Sequence, residues 1–337
     1  MKHTKSKFII IISILILISL ISSNKLFAFS PCLNLFGASI EKIKMEKKVL
    51  IHGDIHGELS GFQDNLINEN LVNVLGEWIA EDTTLIVTGD LIDRGPKSIE
   101  TYDYLMDLQK QAKEKKNGSE VIILLGNHEQ YILRGIFDVL VESIEKQGTN
   151  RLMAFNQALR LRNRMIDDVI SGKIVGSTVV NGDLVTHAGM RTEIRLMLKE
   201  EFAQLEGIPV DEVTVEQISW IHNINWINAV VNEDFSPPMF QADARRGGVA
   251  NVGGTTWNDA QDIDTSMEAL IDFDQIFGHS AAQKGEALIR LYQDGRGICV
   301  DAGHYAGRRA YVIMESGEII TVEGSGAGYE RKVVGKY

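Results

Sequence analysis

Short apolar runs rich in β-branched residues alternate with amphipathic stretches in the first half of the chain. The apolar runs lie at 49–52, 84–88 and 121–125, and the amphipathic stretches between them lie at about 59–79 and 96–116. Strands that alternate with helices are typical of βαβ units, in which neighbouring strands pair in parallel. The sequence therefore predicts a parallel sheet with helical connections.

The pattern changes in the middle of the chain. Apolar residues at spacings of four predict helical structure from about 130 to 172. Two strand-like runs at 175–180 and 183–186 then flank Asn181-Gly182, a dipeptide typical of tight hairpin turns. We expect a helical insertion to follow over about 190–235.

The last third of the chain predicts a β meander. Its strand-like runs flank two turn dipeptides, Asp294-Gly295 and Ser316-Gly317. The runs cover 288–292, 298–300, 310–314 and 318–322. We expect residues 47–325 to form one domain, preceded by a linker over 31–46 and followed by a C-terminal tail over 326–337.

Residues 1–30 have the pattern of a targeting segment. Basic residues at the start precede an almost unbroken apolar run, Phe8–Ile21. This run is short for a membrane span, which needs roughly 20 residues, and its length is typical of the core of a signal peptide. We expect export to the periplasm, the cell surface or the medium, with a membrane anchor through residues 8–21 as the alternative.

The composition argues against two classes of protein, those that coat nucleic acids and those held together by disulfides. Asp and Glu number 46 against 34 Lys and Arg, and the formal net charge is −12. So acidic a chain is a poor candidate for a protein that coats a phosphate backbone, and we expect no nucleic-acid partner. The only cysteines are Cys32 and Cys299, which excludes a disulfide scaffold. Because Cys299 lies in an apolar run, we expect it to be a small buried residue.

Polar side chains gather where the predicted strands end. The clusters are Gly53–Gly57, Gly89–Gly95, Gly126–Glu129, His187–Gly189, Gly278-His279 and Asp301–Tyr305. In an open α/β sheet, ligands bind beyond the carboxyl ends of the strands. If these strands share one sheet or two neighbouring sheets, the six clusters meet at one edge.

The residue types in these clusters indicate a metal centre. Six side chains offer carboxylate, amide and imidazole donors: Asp54, His56, Asp90, Asn127, His187 and His279. A mixed nitrogen and oxygen set without thiolate suits manganese, iron or zinc. Six ligands exceed the usual four of one zinc ion, but they suit two ions that share a carboxylate and hold a bridging hydroxide. Asp90, central in chain order, is the expected bridge.

Three of the clusters carry a family resemblance. Gly53–Gly57 has the sequence G-D-I-H-G, Gly89–Gly95 has G-D-L-I-D-R-G, and Gly126–Glu129 has G-N-H-E. Together with His187 in H-A-G and His279 in G-H-S, this ordered set resembles the phosphoprotein phosphatase branch, in its bacterial form, of the calcineurin-like metallophosphoesterases. The resemblance covers about 48–322. It implies a four-layer α/β/β/α sandwich, which agrees with a βαβ half followed by antiparallel hairpins.

The resemblance also implies a role for each metal-binding side chain. The first ion would be held by Asp54, His56 and Asp90, and the second by Asp90, Asn127, His187 and His279. Beside them, His128 would protonate the leaving oxygen, and Asp93 would fix the orientation of His128. Arg94 would bind the phosphate through its planar guanidinium.

The substrate contacts are less well defined by the resemblance. Tyr305 lies in a segment similar to the family's pocket-lining tyrosine loop. The family's second phosphate-binding arginine lies between the last two metal histidines, where Arg245 and Arg246 are both candidates. No histidine follows two residues after His279, a departure from several other branches that favours the phosphatase branch.

Other residues near the clusters have less specific patterns. Glu129 is expected to be structural, and His52 and His222 are expected to be packing or hydrogen-bonded residues. Trp257 either lines the pocket or packs in the core. The role of His304 stays open.

The sequence thus predicts a metal-dependent phosphatase. It would use two divalent ions, manganese first with iron or zinc as alternatives, and a metal-bridging hydroxide would attack the phosphorus of a phosphomonoester directly. The substrate would be a phosphorylated protein or a small phosphoester. The alternatives are a dinucleoside polyphosphate or nucleotide hydrolase on the same metal core, an inactive metal-binding module, and a surface-anchored structural protein.

Overall fold

The computed structural model describes residues 47–266, 274–292, 295–325 and 328–337. The strands in chain order are β1 (Lys48–His52), β2 (Thr83–Val87), β3 (Glu120–Leu124), β4 (Ile174–Val175), β5 (Ser177–Val180), β6 (Asp183–Thr186), β7 (Gln275–Phe277), β8 (Arg290–Tyr292), β9 (Gly297–Cys299), β10 (Ala310–Glu315), β11 (Glu318–Ser325) and β12 (Gly328–Lys336).

The helices separate or cover these strands. In chain order they are α1 (Leu59–Asn68), α2 (Ser98–Lys115), α3 (Asn127–Leu133), α4 (Asp138–Glu145), α5 (Arg151–Ile170), α6 (Thr192–Glu206), α7 (Val215–Asn232) and α8 (Ala260–Ser266). Short 3-10 turns lie at Val210–Glu212, Pro238–Phe240, Ala244–Arg246 and His304–Ala306.

The strands form two sheets. The seven-stranded sheet has the order β12-β11-β10-β1-β2-β3-β4, and the five-stranded sheet has the order β5-β6-β7-β9-β8. In the first sheet, β1 to β4 pair in parallel, as the βαβ pattern predicts, and β10 to β12 pair antiparallel. In the second sheet, β6, β7 and β9 pair in parallel.

Apolar side chains pack against both faces of the first sheet, because successive residues of a strand point to opposite faces. On β1, Val49 and Ile51 join the apolar cluster that also contains Val185 and Ile276 of the second sheet. Leu50, between them, joins the larger cluster beneath the helices. Because successive strand side chains point to opposite faces, one short strand contributes to both cores.

Helices cover the outer faces of the two sheets. On the first sheet α2 contacts β3, and on the second sheet α7 contacts β5 and β6 while α8 contacts β9. The order helix, sheet, sheet, helix is the four-layer α/β/β/α sandwich that the sequence predicts, so this prediction is confirmed. The predicted insertion over about 190–235 contains α6 and α7.

Two predicted helices are shorter than expected. The helix expected over about 59–79 ends at Asn68, because Asn70 adopts a left-handed φ of 56° and the N–H of Leu71 bonds back to the carbonyl of Leu66. Beyond it, the side chain of Asn73 accepts the backbone N–H groups of Leu75 and Glu77 and holds a turn. The stretch expected to be helical from about 130 to 172 is three helices. Gly135 and Gly148, at φ 80° and 88°, interrupt it, because a left-handed residue cannot continue a right-handed helix.

The end of the chain also differs from the prediction. The segment expected to be a tail contains β12, which pairs with β11 at the edge of the first sheet. The expected meander is divided, since β8 and β9 lie in one sheet and β10 to β12 in the other. The predicted hairpin at Asn181-Gly182 is confirmed.

Several sequence predictions fall outside the described residues. They concern the leader, the linker, Cys32 and Asp294. Cys299 is buried, as predicted. Among the described residues, no helix combines the length and apolar character that a membrane crossing requires.

Candidate binuclear metal centre

The strand register brings the polar clusters to one edge. In the first sheet, His52, Val87 and Ile123 are level with one another near the carboxyl ends of three parallel strands. In the second sheet, Thr186, Phe277 and Cys299 are likewise level. Each cluster follows its strand within a few residues, so the register itself places the six clusters in two facing rows.

Glycines allow the loops of this edge to touch. A Cβ atom on Gly126 would lie 2.2 Å from Asp90 Oδ1, and one on Gly278 would lie 2.4 Å from Asp54 Oδ1. The loops also hold side chains at positive φ, namely His56, Asp90, Asp93, Arg94 and His279. Left-handed backbone is costly for such residues and gathers at functional sites, so this concentration marks the edge as a site.

His56 points an unpaired nitrogen into the centre. Its Nδ1–H donates to the carbonyl of Ile92 at 2.9 Å, which leaves a lone pair on Nε2. That buried Nε2 has no hydrogen-bond partner and lies 3.5 Å from Asp90 Oδ2 and 3.9 Å from Asp54 Oδ2. A nitrogen lone pair that faces two carboxylate oxygens fits a cation between them.

His187 has the same arrangement on the opposite side of Asp90. Its Nδ1–H donates to the carbonyl of Thr88 at 2.8 Å, so Nε2 carries a lone pair. Nε2 lies 3.0 Å from Asn127 Oδ1 and 3.6 Å from Asp90 Oδ1. Three acceptor atoms converge here, and His279 Nδ1 lies 3.1 Å from the same nitrogen.

Asp90 lies between the two groups. Its Oδ2 faces His56 and its Oδ1 faces His187, so each oxygen is directed at a different set of donors. Asp90, His56 and His128 form one potential metal-binding group, and Asp90, His187 and His279 form a second. A shared carboxylate between two donor sets is the geometry of a bridging ligand.

The protonation of these imidazoles suits metal binding. Burial lowers the pKa of His56 to about 3, and burial also lowers the pKa values of His187 and His279. Burial opposes ionisation of Asp90, but the surrounding imidazoles, His187 foremost, hold its pKa below the usual range. Neutral imidazoles beside an ionised carboxylate are the forms that bind a metal ion. The side chains present therefore fit a pair of divalent ions.

Asp54 and Asp301 add negative charge at the first group. Burial, followed by the carboxylate of Asp301, raises the pKa of Asp54 well above its usual value. Burial raises the pKa of Asp301 to about 6. A buried carboxylate whose ionisation is opposed by a second buried carboxylate indicates a place for a cation. Asp301 was visible in the sequence as a polar residue after β9, but nothing there assigned it a role.

His128 and Asp93 form a pair beside Asp90. His128 Nδ1 lies 2.5 Å from Asp93 Oδ2, and Nε2 lies 3.9 Å from Asp90 Oδ2. Burial opposes protonation of His128, but Asp90 and Asp93 together raise its pKa. The pair therefore holds a proton close to the potential metal ligands.

Arg94 and Tyr305 lie together at the open side of the site. The guanidinium carbon of Arg94 is 4.5 Å from the centre of the Tyr305 ring, a cation–π distance. The Tyr305 ring also meets His56 edge-on, with 5.5 Å between the ring centres, and is 40% exposed. The stacked tyrosine fixes an exposed guanidinium beside the cluster.

The structure separates Arg245 from Arg246. Arg246 is bonded to the Ser280 hydroxyl and pairs with Asp259 at 3.0 Å, and its charge contributes to lowering the pKa of His279. Arg245 is directed away and pairs with Asp262 at 3.3 Å. Which of the two arginines faces Ser280 depends on the 3-10 turn that contains both residues. The sequence pattern does not specify this turn.

Aromatic side chains line the other side of His128. Tyr131 packs edge-on against His128 and against Trp257, and Trp257 packs against His279. Trp257 is buried, and its indole N–H donates to the side-chain oxygen of Gln130 at 3.0 Å. Tyr131, two residues after the G-N-H-E sequence, was not singled out from the sequence.

The remaining histidines have structural partners. His52 Nδ1 bonds the carbonyl of Gly53, and His222 bonds the hydroxyls of Ser177 and Thr255. His304 lies between the carbonyls of Glu58 and Arg308. These contacts agree with the packing roles expected for His52 and His222, and His304 contributes to holding the loop that carries Tyr305.

Comparisons with known proteins show similarity to one enzyme family in sequence and to a phosphatase in fold. Residues 47–191 match the family model described as calcineurin-like phosphoesterase. The fold is similar to that of a mutant cold-active protein tyrosine phosphatase, with a TM-score of 0.56 and 18% identity over 86% of this chain and 80% of that chain. Residues 47–191 are therefore similar to the calcineurin-like phosphoesterases, and the fold of the chain is similar to that of a solved phosphatase.

Two curated proteins that are similar to parts of this chain are protein phosphatases. One is Shewanella-like protein phosphatase 1 of Plasmodium berghei (strain Anka), 37% identical over 98 residues, 29% of this chain and 26% of the relative. Another is serine/threonine-protein phosphatase PP1-1 of Saccharomyces cerevisiae, 28% identical over 163 residues, 48% of this chain and 47% of the relative. The matches thus span between a quarter and a half of these relatives. They support the phosphoprotein phosphatase branch of the superfamily.

Proposed function

We propose that this protein is a two-metal phosphatase that hydrolyses phosphomonoesters, with phosphorylated proteins as its substrate class. The observation that carries the proposal is Asp90, whose two oxygens face separate donor groups. The protein phosphatase relatives support the substrate class. Two divalent ions, when bound, would supply Lewis acidity for the phosphate and an activated water as nucleophile.

The donor geometry and the family resemblance together assign the ligands of the two ions. His128 also lies in the first geometric group, but its pairing with Asp93 and its raised pKa assign it to proton donation. One ion would be held by Asp54, His56 and Asp90, and the other by Asp90, Asn127, His187 and His279. We propose manganese as the native metal, because imidazole, amide and carboxylate donors without thiolate suit it; iron and zinc are compatible with the same donors.

The chain's own residues bind and orient the phosphate. Arg94, fixed by Tyr305, offers a planar pair of N–H groups to two phosphate oxygens. Arg246 adds a second positive charge on the side of His279 and Ser280. Between these guanidiniums the phosphate would lie against both donor groups, since they share Asp90.

His128 supplies the proton that the leaving oxygen needs. Asp93 holds Nδ1, so Nε2 is the nitrogen that faces the site. The carboxylates of Asp90 and Asp93 raise the pKa of His128 and so favour its protonated form, and departure of an alkoxide or phenoxide is faster when a proton is donated to it.

Direct attack by water fits the surroundings better than a covalent enzyme intermediate. Cys299 is fully buried, and the hydroxyl of Ser280 is bonded to Arg246 and accepts the backbone N–H of Ala260. Neither side chain is therefore free to act as the nucleophile.

The proposal is tested by turnover of the full chain after removal of metal and reconstitution with manganese, iron or zinc. The substrates are an aromatic phosphate ester, phosphoserine, phosphothreonine and phosphotyrosine peptides, and dinucleoside tetraphosphate. We expect metal-dependent phosphate release, with phosphopeptides preferred over the dinucleotide. Metal-loaded protein that hydrolyses none of the panel would contradict the proposed activity, and preferential cleavage of dinucleoside tetraphosphate would contradict the substrate class.

We further propose that residues 1–30 direct export of the chain, on the support of their basic and apolar pattern alone. Cell fractionation and N-terminal sequencing of the extracted protein test this. A full-length N-terminus in the membrane fraction would favour the anchor through residues 8–21, and recovery from the cytoplasm would contradict export.

A further inference from the structure

Glu129 is a buried carboxylate that touches both central loops of the site. It is fully buried in the first turn of α3, one residue after His128. Its Oε2 accepts the backbone N–H of Asp90 at 2.8 Å and that of Gly126 at 2.9 Å. Its Oε1 accepts the N–H of Leu91 at 2.9 Å.

These bonds join two segments that are far apart in sequence. Asp90 and Leu91 belong to the loop after β2, whereas Gly126 belongs to the loop after β3. A single oxygen atom, Oε2, therefore accepts one N–H from each loop. In return, the backbone N–H of His128 donates to Asp90 Oδ1 at 2.9 Å, so the contact between α3 and the Asp90 loop is reciprocal.

The backbone of Asp90 has an unfavourable conformation and lies in a crowded place. Its φ is 49°, in the left-handed region that is unfavourable for a side chain other than glycine. The neighbouring Gly89 and Gly126 approach so closely that a Cβ atom on Gly89 would lie 2.5 Å from the nitrogen of Gly126. A carboxylate that accepts three N–H bonds offsets both the strain and the close approach.

We infer that Glu129 is a positioning residue that fixes Asp90 between the two donor groups and thereby sets the affinity of the protein for its metal pair. The inference rests on the proposed function, which makes Asp90 the shared ligand. Glu129 itself lies behind Asp90 and not in the cleft, because all of its hydrogen bonds go to backbone N–H groups and none of its surface is exposed. It is thus distinct from the ligands.

The chemistry of the side chain explains why glutamate is required. Glutamine would direct its NH2 group at the N–H groups of Asp90 and Gly126, or at that of Leu91 if the amide is flipped, so at least one buried donor would lose its acceptor. Aspartate keeps the charge but is shorter by one methylene, so it would not reach both loops. Both substitutions should loosen Asp90.

The test compares Glu129→Gln with a matched buried carboxylate. Glu69 is also buried and hydrogen-bonded, but its partners lie away from the site and are Lys48, Asn68, Tyr311 and Arg331. Manganese is titrated calorimetrically into the metal-free full chain of the wild type, E129Q, E129D and E69Q, with thermal unfolding recorded for each. Metal titration needs no turnover, so the result does not depend on the substrate.

We expect both Glu129 variants to bind manganese about 10–100-fold more weakly, whereas E69Q loses stability but keeps the wild-type affinity. If the Glu129 variants lose stability and still bind manganese as the wild type does, the residue is only structural and the inference is wrong. A wild type that binds two ions but hydrolyses no phosphoester would contradict the proposed function and leave this inference intact.

Hydrogen exchange of the wild type covers the case in which the Glu129 variants do not fold. The amides of Asp90, Leu91 and Gly126 should be strongly protected, because each donates to a buried carboxylate. Rapid exchange at Asp90 and Gly126 in the native protein would overturn the inference.

Discussion

At the scale of single residues, the hydrogen-bond partner of each histidine at this site determines whether its ring offers a lone pair or a proton. His56 and His187 each donate one ring N–H to a carbonyl, which leaves a lone pair on the other nitrogen for the proposed metal. His128 differs because a carboxylate, Asp93, holds its Nδ1 and raises its affinity for a proton. In the proposed mechanism the same residue type would therefore serve as ligand in one place and as acid in another, according to its partner.

Substitution of His128 by alanine tests its role as the acid. We expect kcat to fall by roughly 10²–10⁴, because proton donation to the leaving oxygen is lost. Metal content should stay at the wild-type level, since the proposed ligand set does not include His128. Steady-state kinetics and metal analysis of the same sample measure both quantities, and an unchanged kcat would remove His128 from the mechanism.

Asp93→Asn should shift the pH dependence of activity. Asp93 raises the pKa of His128, so its neutralisation lowers that pKa. The acid must be protonated to act, and activity is lost as the pH rises through its pKa. The alkaline limb of the kcat profile should therefore move to lower pH in the variant. An alkaline limb at the wild-type position would contradict the pairing of these residues.

How much of the site the sequence predicts depends on what fixes each residue. The six proposed ligands, His128, Asp93 and Arg94 lie in short sequence patterns that follow strands, and the structure brings them together at one edge. Arg246 could not be distinguished from Arg245, because a 3-10 turn decides which one faces Ser280. The hydrogen bonds of Glu129 to Asp90 and Leu91 depend on contacts 39 and 38 residues away in sequence, which no local pattern contains.

At the scale of elements, parallel strands and the glycines after them place the proposed ligands at one edge of the sheets. The strand predictions succeeded because β-branched apolar runs such as those of β1 and β3 are buried on both faces. The β12 strand was missed because its side chains are polar and largely exposed, so only backbone pairing with β11 reveals it. Helix ends were missed where single residues such as Asn70 and Gly135 adopt a left-handed conformation.

Gly126→Ala tests the close approach of two loops. A Cβ there would overlap Asp90 Oδ1 and the nitrogen of Asp90, so the loops must separate. We expect a loss of about 1–3 kcal/mol in the free energy of unfolding and weaker manganese binding.

The matched control for that variant is Gly328→Ala. A Cβ at Gly328 meets no atom within 4 Å. This substitution should change the free energy of unfolding by less than about 0.5 kcal/mol. Chemical denaturation of both variants measures the difference, and equal effects would contradict the claim that the loops are in contact.

At the scale of the whole molecule, Glu69 joins distant parts of the first sheet. It follows α1 and bonds Lys48 of β1 at 2.8 Å, Tyr311 of β10 at 2.8 Å and Arg331 of β12 at 2.5 Å. Burial opposes its ionisation, but these partners lower its pKa below the usual value. The carboxylate therefore connects the centre of the sheet to its C-terminal edge.

Glu69→Gln should destabilise the protein in a pH-dependent manner. A carboxyl whose pKa is lower in the folded state stabilises the fold above its unfolded pKa of about 4.3 and loses this effect as the pH falls through the folded pKa. We expect a loss of about 1–3 kcal/mol at pH 7 that shrinks towards zero in strong acid. Urea unfolding at several pH values measures this, and a loss independent of pH would contradict the charge-based account.

The most direct test of the central claim is the metal content of the full chain and of Asp90→Ala after identical loading with manganese, measured by elemental analysis against protein concentration. Asp90 faces both donor groups, so its removal should affect both ions. The wild type should carry two ions per chain and Asp90→Ala should carry none. An Asp90→Ala protein that still holds two ions would contradict the shared carboxylate and the two-metal site built on it.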